Sequence, residues 1–258
     1  MATRFYLPSS GDPSPALSPA YSTQWDDTSI GARLRTQTGK SGTGMTTVDF
    51  ADADVTDKDI LFRQYISDPI AANVSIATPT VKFQLRGSET STLNNLFLAV
   101  HIRVVQADGT LRGTILDLGA NVTELATTLV TRGNSLAPGT TVSALATDRI
   151  VIETGTQGDP SGTSHSSSLR IGDSDATDLP ENDTETADNN PWVEISTNIP
   201  ILGFGWDVLR VSSPPRRPQT NVGFYAADLS PIAPPPARQV PAEFGPRVIR
   251  VPNRIVSY

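Results

Sequence analysis

The densest set of chemically capable side chains is an acidic run. Asp173, Asp175, Asp178, Glu181, Asp183, Glu185 and Asp188 fall within 16 residues, and no lysine or arginine lies between Ile171 and Leu209. Calcium takes several carboxylate and carbonyl oxygens, so Asp173, Asp175, Asp178, Glu181 and Asp183 are its candidate ligands. The order is not that of an EF-hand, because the cluster has no internal glycine and no glutamate at the twelfth position from Asp173. A solvated acidic loop, or a docking surface for arginines, fits the same residues. Paired carboxylates for glycoside hydrolysis can also be drawn from this run, as from almost any acidic β protein. Gly39-Lys-Ser-Gly-Thr-Gly44 has the glycines of a phosphate loop but not the G-x-x-x-x-G-K-[ST] order. His165 sits among serines, and His101 sits on the polar phase of an alternating segment; neither has a nucleophile and an acid beside it, and no G-x-S-x-G elbow occurs. Trp25, Trp192 and Trp206 suit either a sugar-stacking platform or core packing, and packing is the commoner fate of single tryptophans in strands.

Composition narrows the classes further. The 258 residues contain no cysteine, which excludes disulfides, thiolate nucleophiles and cysteine zinc sites. Two histidines leave little for a histidine-based metal centre. No apolar run approaches the roughly 20 residues of a membrane span. The opening Met1-Ala-Thr-Arg-Phe-Tyr-Leu lacks the apolar core of a signal peptide, so synthesis in the cytoplasm and no membrane partner are expected. The net charge of −7 is unevenly spread. Residues 212–258 carry six arginines against two acids, a net +4, which leaves −11 for residues 1–211. The arginines are spread out and the body is acidic, so direct nucleic-acid binding is not expected.

The elements that must position these residues read as strands. Leu96, Leu98, Val100, Ile102 and Val104 share one face of a period-2 segment, followed by the hairpin signal Asp108-Gly109 and a return over 111–118. Similar patterns place strands at 3–7, around 30–35, and at 59–67, 74–85, 140–146, 148–153, 164–171, 191–196 and 204–211. Asn121 to Val130 is the one helix candidate, with Asn121 or Thr123 as cap and Gly133 as stop. The expected fold is all-β: an antiparallel β-sandwich, jelly-roll-like, with one short helix, over residues 1–211.

An extended proline-rich C-terminal arm over 212–258 completes the expectation. Ten of the 21 prolines lie there, which disfavours helix and sheet and favours polyproline II. Yet the arm also holds Phe224, Tyr225, Phe244 and Tyr258, among other apolar residues. Apolar anchors on a pre-extended chain suit docking. Arg216, Arg217, Phe224, Tyr225, Phe244, Arg247, Arg250, Arg254 and Tyr258 are the expected partner-binding residues.

Several stretches stand together in a way that resembles a family of tailed-bacteriophage virion proteins. They are Met1-Ala-Thr-Arg-Phe-Tyr-Leu7, Phe62-Arg-Gln-Tyr-Ile-Ser-Asp-Pro69, Leu111-Arg-Gly-Thr-Ile-Leu116 and Asp148-Arg-Ile-Val-Ile-Glu153. Asp178-Leu-Pro-Glu181, Thr184-Glu-Thr-Ala187 and Asn189-Asn-Pro-Trp-Val-Glu-Ile-Ser196 are the strongest part. The resemblance covers about residues 1–200. It implies a structural component of a virion made in a bacterial host, not an enzyme. It also implies a homo-oligomer, by analogy a trimer, whose partners are the major capsid protein or tail proteins. No cofactor is expected beyond the calcium weighed above. A capsid decoration (cement) protein is the leading expectation, a tail, baseplate or adhesion protein that binds carbohydrate is the runner-up, and an enzyme acting on polysaccharide through two carboxylates is the third class.

Overall fold

The computed structural model describes residues 1–28, 31–40, 42–137, 140–159, 164–172, 177–181 and 189–203. The chain divides into two units, Met1–Leu209 and Arg210–Tyr258, and the second lies outside the described residues. So do the strand expected at 204–211 and every residue of the arm.

The fold is all-β, as expected, with thirteen strands among the described residues. One sheet contains β1 (Thr3–Tyr6), β13 (Trp192–Ile195), β6 (Val81–Glu89), β12 (Ser167–Ile171) and β3 (Thr46–Phe50), in that order, with β9 (Val130–Leu136) on the other side of β6. The second is ordered β2 (Ala32–Arg35), β4 (Ile60–Ile66), β11 (Arg149–Gly158), β7 (Leu96–Val105) and β8 (Leu111–Ala120). A short ribbon joins β5 (Val74–Ile76) to β10 (Val142–Ala144). Every ladder is antiparallel except β2 on β4.

The core forms where the inward phases of the two large sheets meet. Leu96, Leu98, Val100, Ile102 and Val104 of β7 are fully buried in one cluster. With them lie Phe83 and Leu85 of β6, Ile150 and Ile152 of β11, and Val193 and Ile195 of β13. That cluster is the sandwich interior, and burial at this scale is what offsets the entropy of ordering so many polar strands.

β4 departs from simple alternation. Its ladder with β11 slips between Thr154 and Gly155, a β-bulge opposite Leu61–Arg63. The extra residue reverses the phase. Ile60 and Phe62 point into the core before it, Tyr65 after it, and Gln64 is turned to the outer face. Gly155 permits the bulge: a Cβ there would run into the Ile60 carbonyl and lie 2.9 Å from Trp25 Cζ3.

Three sequence expectations are corrected. Residues 121–129 are not a helix. Asn121 Oδ1 accepts from Thr123 N at 2.6 Å, and the main chain bonds outward: Asn121 N to Leu98 O, Leu125 N to Leu96 O, and Glu89 N to Ala126 O. An asparagine bonded to its own following backbone competes with helix, and Leu125, 4% exposed, plugs the end of the core. The stretch 74–85 is two strands, broken at Thr78, whose φ is +35°, beside Pro79. The strand expected at 148–153 runs instead from Arg149 to Gly158, through the bulge.

Candidate functional site: a buried carboxylate beneath the amino-terminal strap

The outer face of the β2-β4-β11-β7-β8 sheet is covered by residues 17–27, a strap without strand structure. Two small apolar clusters flank its footprint. Leu17 packs on Ile66, Val105 and Val151; Trp25 and Tyr21 pack with Leu61 and Ala99. Arg33 of β2 stacks on the Tyr21 ring at 4.2 Å and donates to Pro19 O at 3.0 Å.

Between the clusters sits Glu153, fully buried. Sheet register puts it there among donors, since its cross-strand partners are His101 on β7 and Gln64 on β4. Arg103 reaches in from the diagonal position. Oε1 accepts from Arg103 at 2.6 Å and from Gln64 Nε2 at 2.8 Å. Oε2 accepts from the Trp25 indole at 2.9 Å and has His101 Nδ1 at 3.3 Å. The Ser22 main-chain N–H lies 3.2 Å from Oε1 and 3.3 Å from Oε2. Arg103 also donates to Ala20 O. Burial by itself pushes the Glu153 carboxyl up. The adjacent His101 ring, the Arg103 charge and the Gln64 amide outweigh burial and hold it below the usual carboxylate range. The carboxylate is thus ionised and closed to solvent, and its chemistry is to fasten the strap to the sheet.

Two further acids have displaced titrations. Burial, then Glu124, pushes the Glu89 carboxyl up to about 7; Glu89 is 2% exposed at the inward end of β6, under the 121–129 segment. Burial, then Asp26 and Asp57, pushes Asp59 up to about 6.

Of the calcium candidates, Asp173, Asp175 and Asp183 lie outside the described residues. Asp178 and Glu181 are counter-ions. Asp178 takes Arg4 and Lys40, each at 2.9 Å, and the Tyr6 hydroxyl at 3.2 Å. Glu181 takes Lys82 at 2.9 Å. Among the described residues no group of three or more His, Asp or Glu is arranged to hold a metal. Trp25 and Trp192 are 4% and 0% exposed, so neither is a sugar platform; Trp192 donates to Leu179 O at 2.7 Å and carries Arg4 on its face at 3.8 Å. Trp206 and the arm residues Arg216, Arg217, Phe224, Tyr225, Phe244, Arg247, Arg250, Arg254 and Tyr258 lie outside the described residues. No described helix is long and apolar enough to cross a membrane.

The Glu153 site escaped sequence reading because its members come from four separated segments. One signal was present: the outer phase of β7, Phe97-x-Ala99-x-His101-x-Arg103-x-Val105, mixes apolar and polar residues, as a covered face would.

No protein-family model matches the chain, and no curated protein matches it. Among solved structures, a CocE/NonD family hydrolase from Staphylococcus aureus is similar over 76% of this chain and 36% of its own, at 9% identity and a TM-score of 0.42. The expectation that the chain is not an enzyme is corrected by this similarity to a hydrolase. At that identity and TM-score it transfers no catalytic residue and no substrate. The structure of infectious bursal disease virus, Gx strain, is similar over 58% of this chain and 31% of its own, at 12% identity and a TM-score of 0.22. The VP2 subviral particle of infectious bursal disease virus covers 58% of this chain and 39% of its own, at 15% identity and a TM-score of 0.22. The chain spans less than two fifths of the length of each of these structures.

Proposed function

We propose that the chain is a structural protein of a virus particle, a capsid decoration or cement protein that binds neighbouring subunits through residues 212–258. One observation carries this reading. Among the described residues, the acids and tryptophans weighed as ligand-binding candidates are engaged within the body: Asp178 with Arg4 and Lys40, Glu181 with Lys82, and Trp25 and Trp192 in its interior; the buried Glu153 is held by Arg103. Residues 212–258, by contrast, are a basic, proline-rich sequence that carries arginines and apolar residues, next to an acidic 1–211. The burial of both tryptophans weighs against the carbohydrate-binding alternative. In this reading the partners are the major capsid protein and further copies of the chain, and the location is the virion.

Deletion of residues 212–258 is the test. The truncated chain is expected to keep its circular dichroism and cooperative unfolding but to be lost from purified particles, with no corresponding density in electron cryo-microscopy maps. Normal decoration by the truncated chain overturns the proposal.

A further inference from the structure

His165 is fully buried just before β12, and both of its ring nitrogens meet main-chain carbonyl oxygens. Nδ1 is 2.8 Å from Asp54 O, and Nε2 is 3.0 Å from Asp159 O. A carbonyl only accepts. A neutral imidazole has one N–H and can satisfy one of the two; the other nitrogen then turns a lone pair toward an oxygen lone pair. Only the imidazolium satisfies both.

The two carbonyls belong to different segments. Asp54 lies in the exposed acidic stretch that follows β3, and Asp159 directly follows β11. The ring is closely fitted between them: a Cβ on Gly158 would lie 2.6 Å from His165 Cδ2 and 2.9 Å from Lys58 O. Asp52 and the His165 side are also joined through Ser166, whose hydroxyl donates to Asp52 O at 3.2 Å and accepts from Asp52 N at 3.1 Å.

The charges of the packed segments favour a cation. The 51–59 stretch brings Asp52, Asp54, Asp57 and Asp59, with Lys58 as its one base. The strap brings Asp26 and Asp27, the residue after β11 brings Asp159, the end of β6 brings Glu89 opposite Ser167, and the 90–95 turn, which meets Ser166 through Asn94, brings no charge. Lys58 is occupied by Asp52 at 2.7 Å and Asp27 at 3.8 Å.

We propose that His165 is a proton-operated latch. Doubly protonated, it ties the acidic 51–59 stretch to the end of β11; neutral, it releases one of the two. Loss of the second ring proton therefore loosens an exposed acidic surface while leaving the sandwich core intact. Amide protection within 52–58 should change by about ten- to a hundredfold, the effect of losing one hydrogen bond from a charged donor.

The test uses the full chain. Ring 15N shifts of His165 are followed against pH, and hydrogen-exchange protection of 52–58 is measured over the same range. The expected result is two protonated nitrogens at low pH, with protection of 52–58 falling in step with ring deprotonation. His165→Gln should show low protection at every pH; if that variant does not fold, the titration of the unmodified chain decides alone. A ring that stays neutral from pH 5 to 8, or protection that does not follow its titration, overturns the proposal.

Discussion

Replacing Glu153 by glutamine changes one oxygen to an amide and removes one charge, at nearly constant volume. The Arg103 guanidinium, nine-tenths buried, then loses its counter-charge. The new NH2 group faces donors on either side, Arg103 and Gln64 or Trp25 and Ser22. Removing one partner of a buried ion pair costs about 3–5 kcal/mol, chiefly because the other charge stays behind uncompensated. At about 1.4 kcal/mol per factor of ten, that is two to three and a half orders of magnitude in the folding equilibrium. The loss should be felt first in the strap, because Ser22, Trp25 and Ala20 are the strap groups that meet this network. Urea unfolding followed by tryptophan fluorescence measures the total, and hydrogen exchange of residues 17–27 measures the local part. Glu181→Gln is the control, since its pair with Lys82 is half exposed and is expected to contribute under about 1 kcal/mol. The reasoning is refuted if Glu153→Gln costs less than about 1 kcal/mol, or if strap protection is unchanged.

Two other outcomes follow from the same geometry. The folded Glu89 carboxyl titrates at about 7, above the ordinary 4.5, so its contribution is fully present below pH 4.5 and is lost as pH rises through 7; Glu89→Gln should remove that dependence, matching the unmodified chain at pH 4 and exceeding it by on the order of 2 kcal/mol at pH 8 in thermal or urea unfolding. Gly155→Ala should destabilise by about 1–3 kcal/mol in the same assay, because the added methyl meets the Ile60 carbonyl and the Trp25 ring at a bulge that has no slack; a neutral effect would mean that the two strands separate there at little cost.

Much of the fold was legible in the sequence, and the exceptions share a cause. β7 was read to the residue, because its inward phase is apolar without interruption. β3, Thr-Thr-Val-Asp-Phe, and β9, Val-Thr-Arg-Gly-Asn-Ser-Leu, were not read as strands, because each is held by neighbours in the sheet rather than by its own pattern. The 121–129 segment imitates a helix in composition, yet Asn121 and the free backbone groups of β6 and β7 draw it into a cap. The Glu153 site could not be assembled from the sequence at all. Gln64 reaches it only because a bulge reverses the phase of β4, and a bulge leaves no reliable mark on a run of Ile, Leu, Phe and Tyr.

The pairing of β1 with β13 bears on how the protein is made. Thr3 lies opposite Ile195, and its hydroxyl donates to Thr197 O at 3.0 Å and accepts from Ile199 N at 2.7 Å. β1 therefore waits for its ladder partner until residues 192–195 have been made. Until then Phe5 and Leu7, both buried in the finished sandwich, belong to a nascent strand whose ladder edge is open. Closure of that sheet must wait for β13, and the interval before it is when the growing chain is most vulnerable to aggregation.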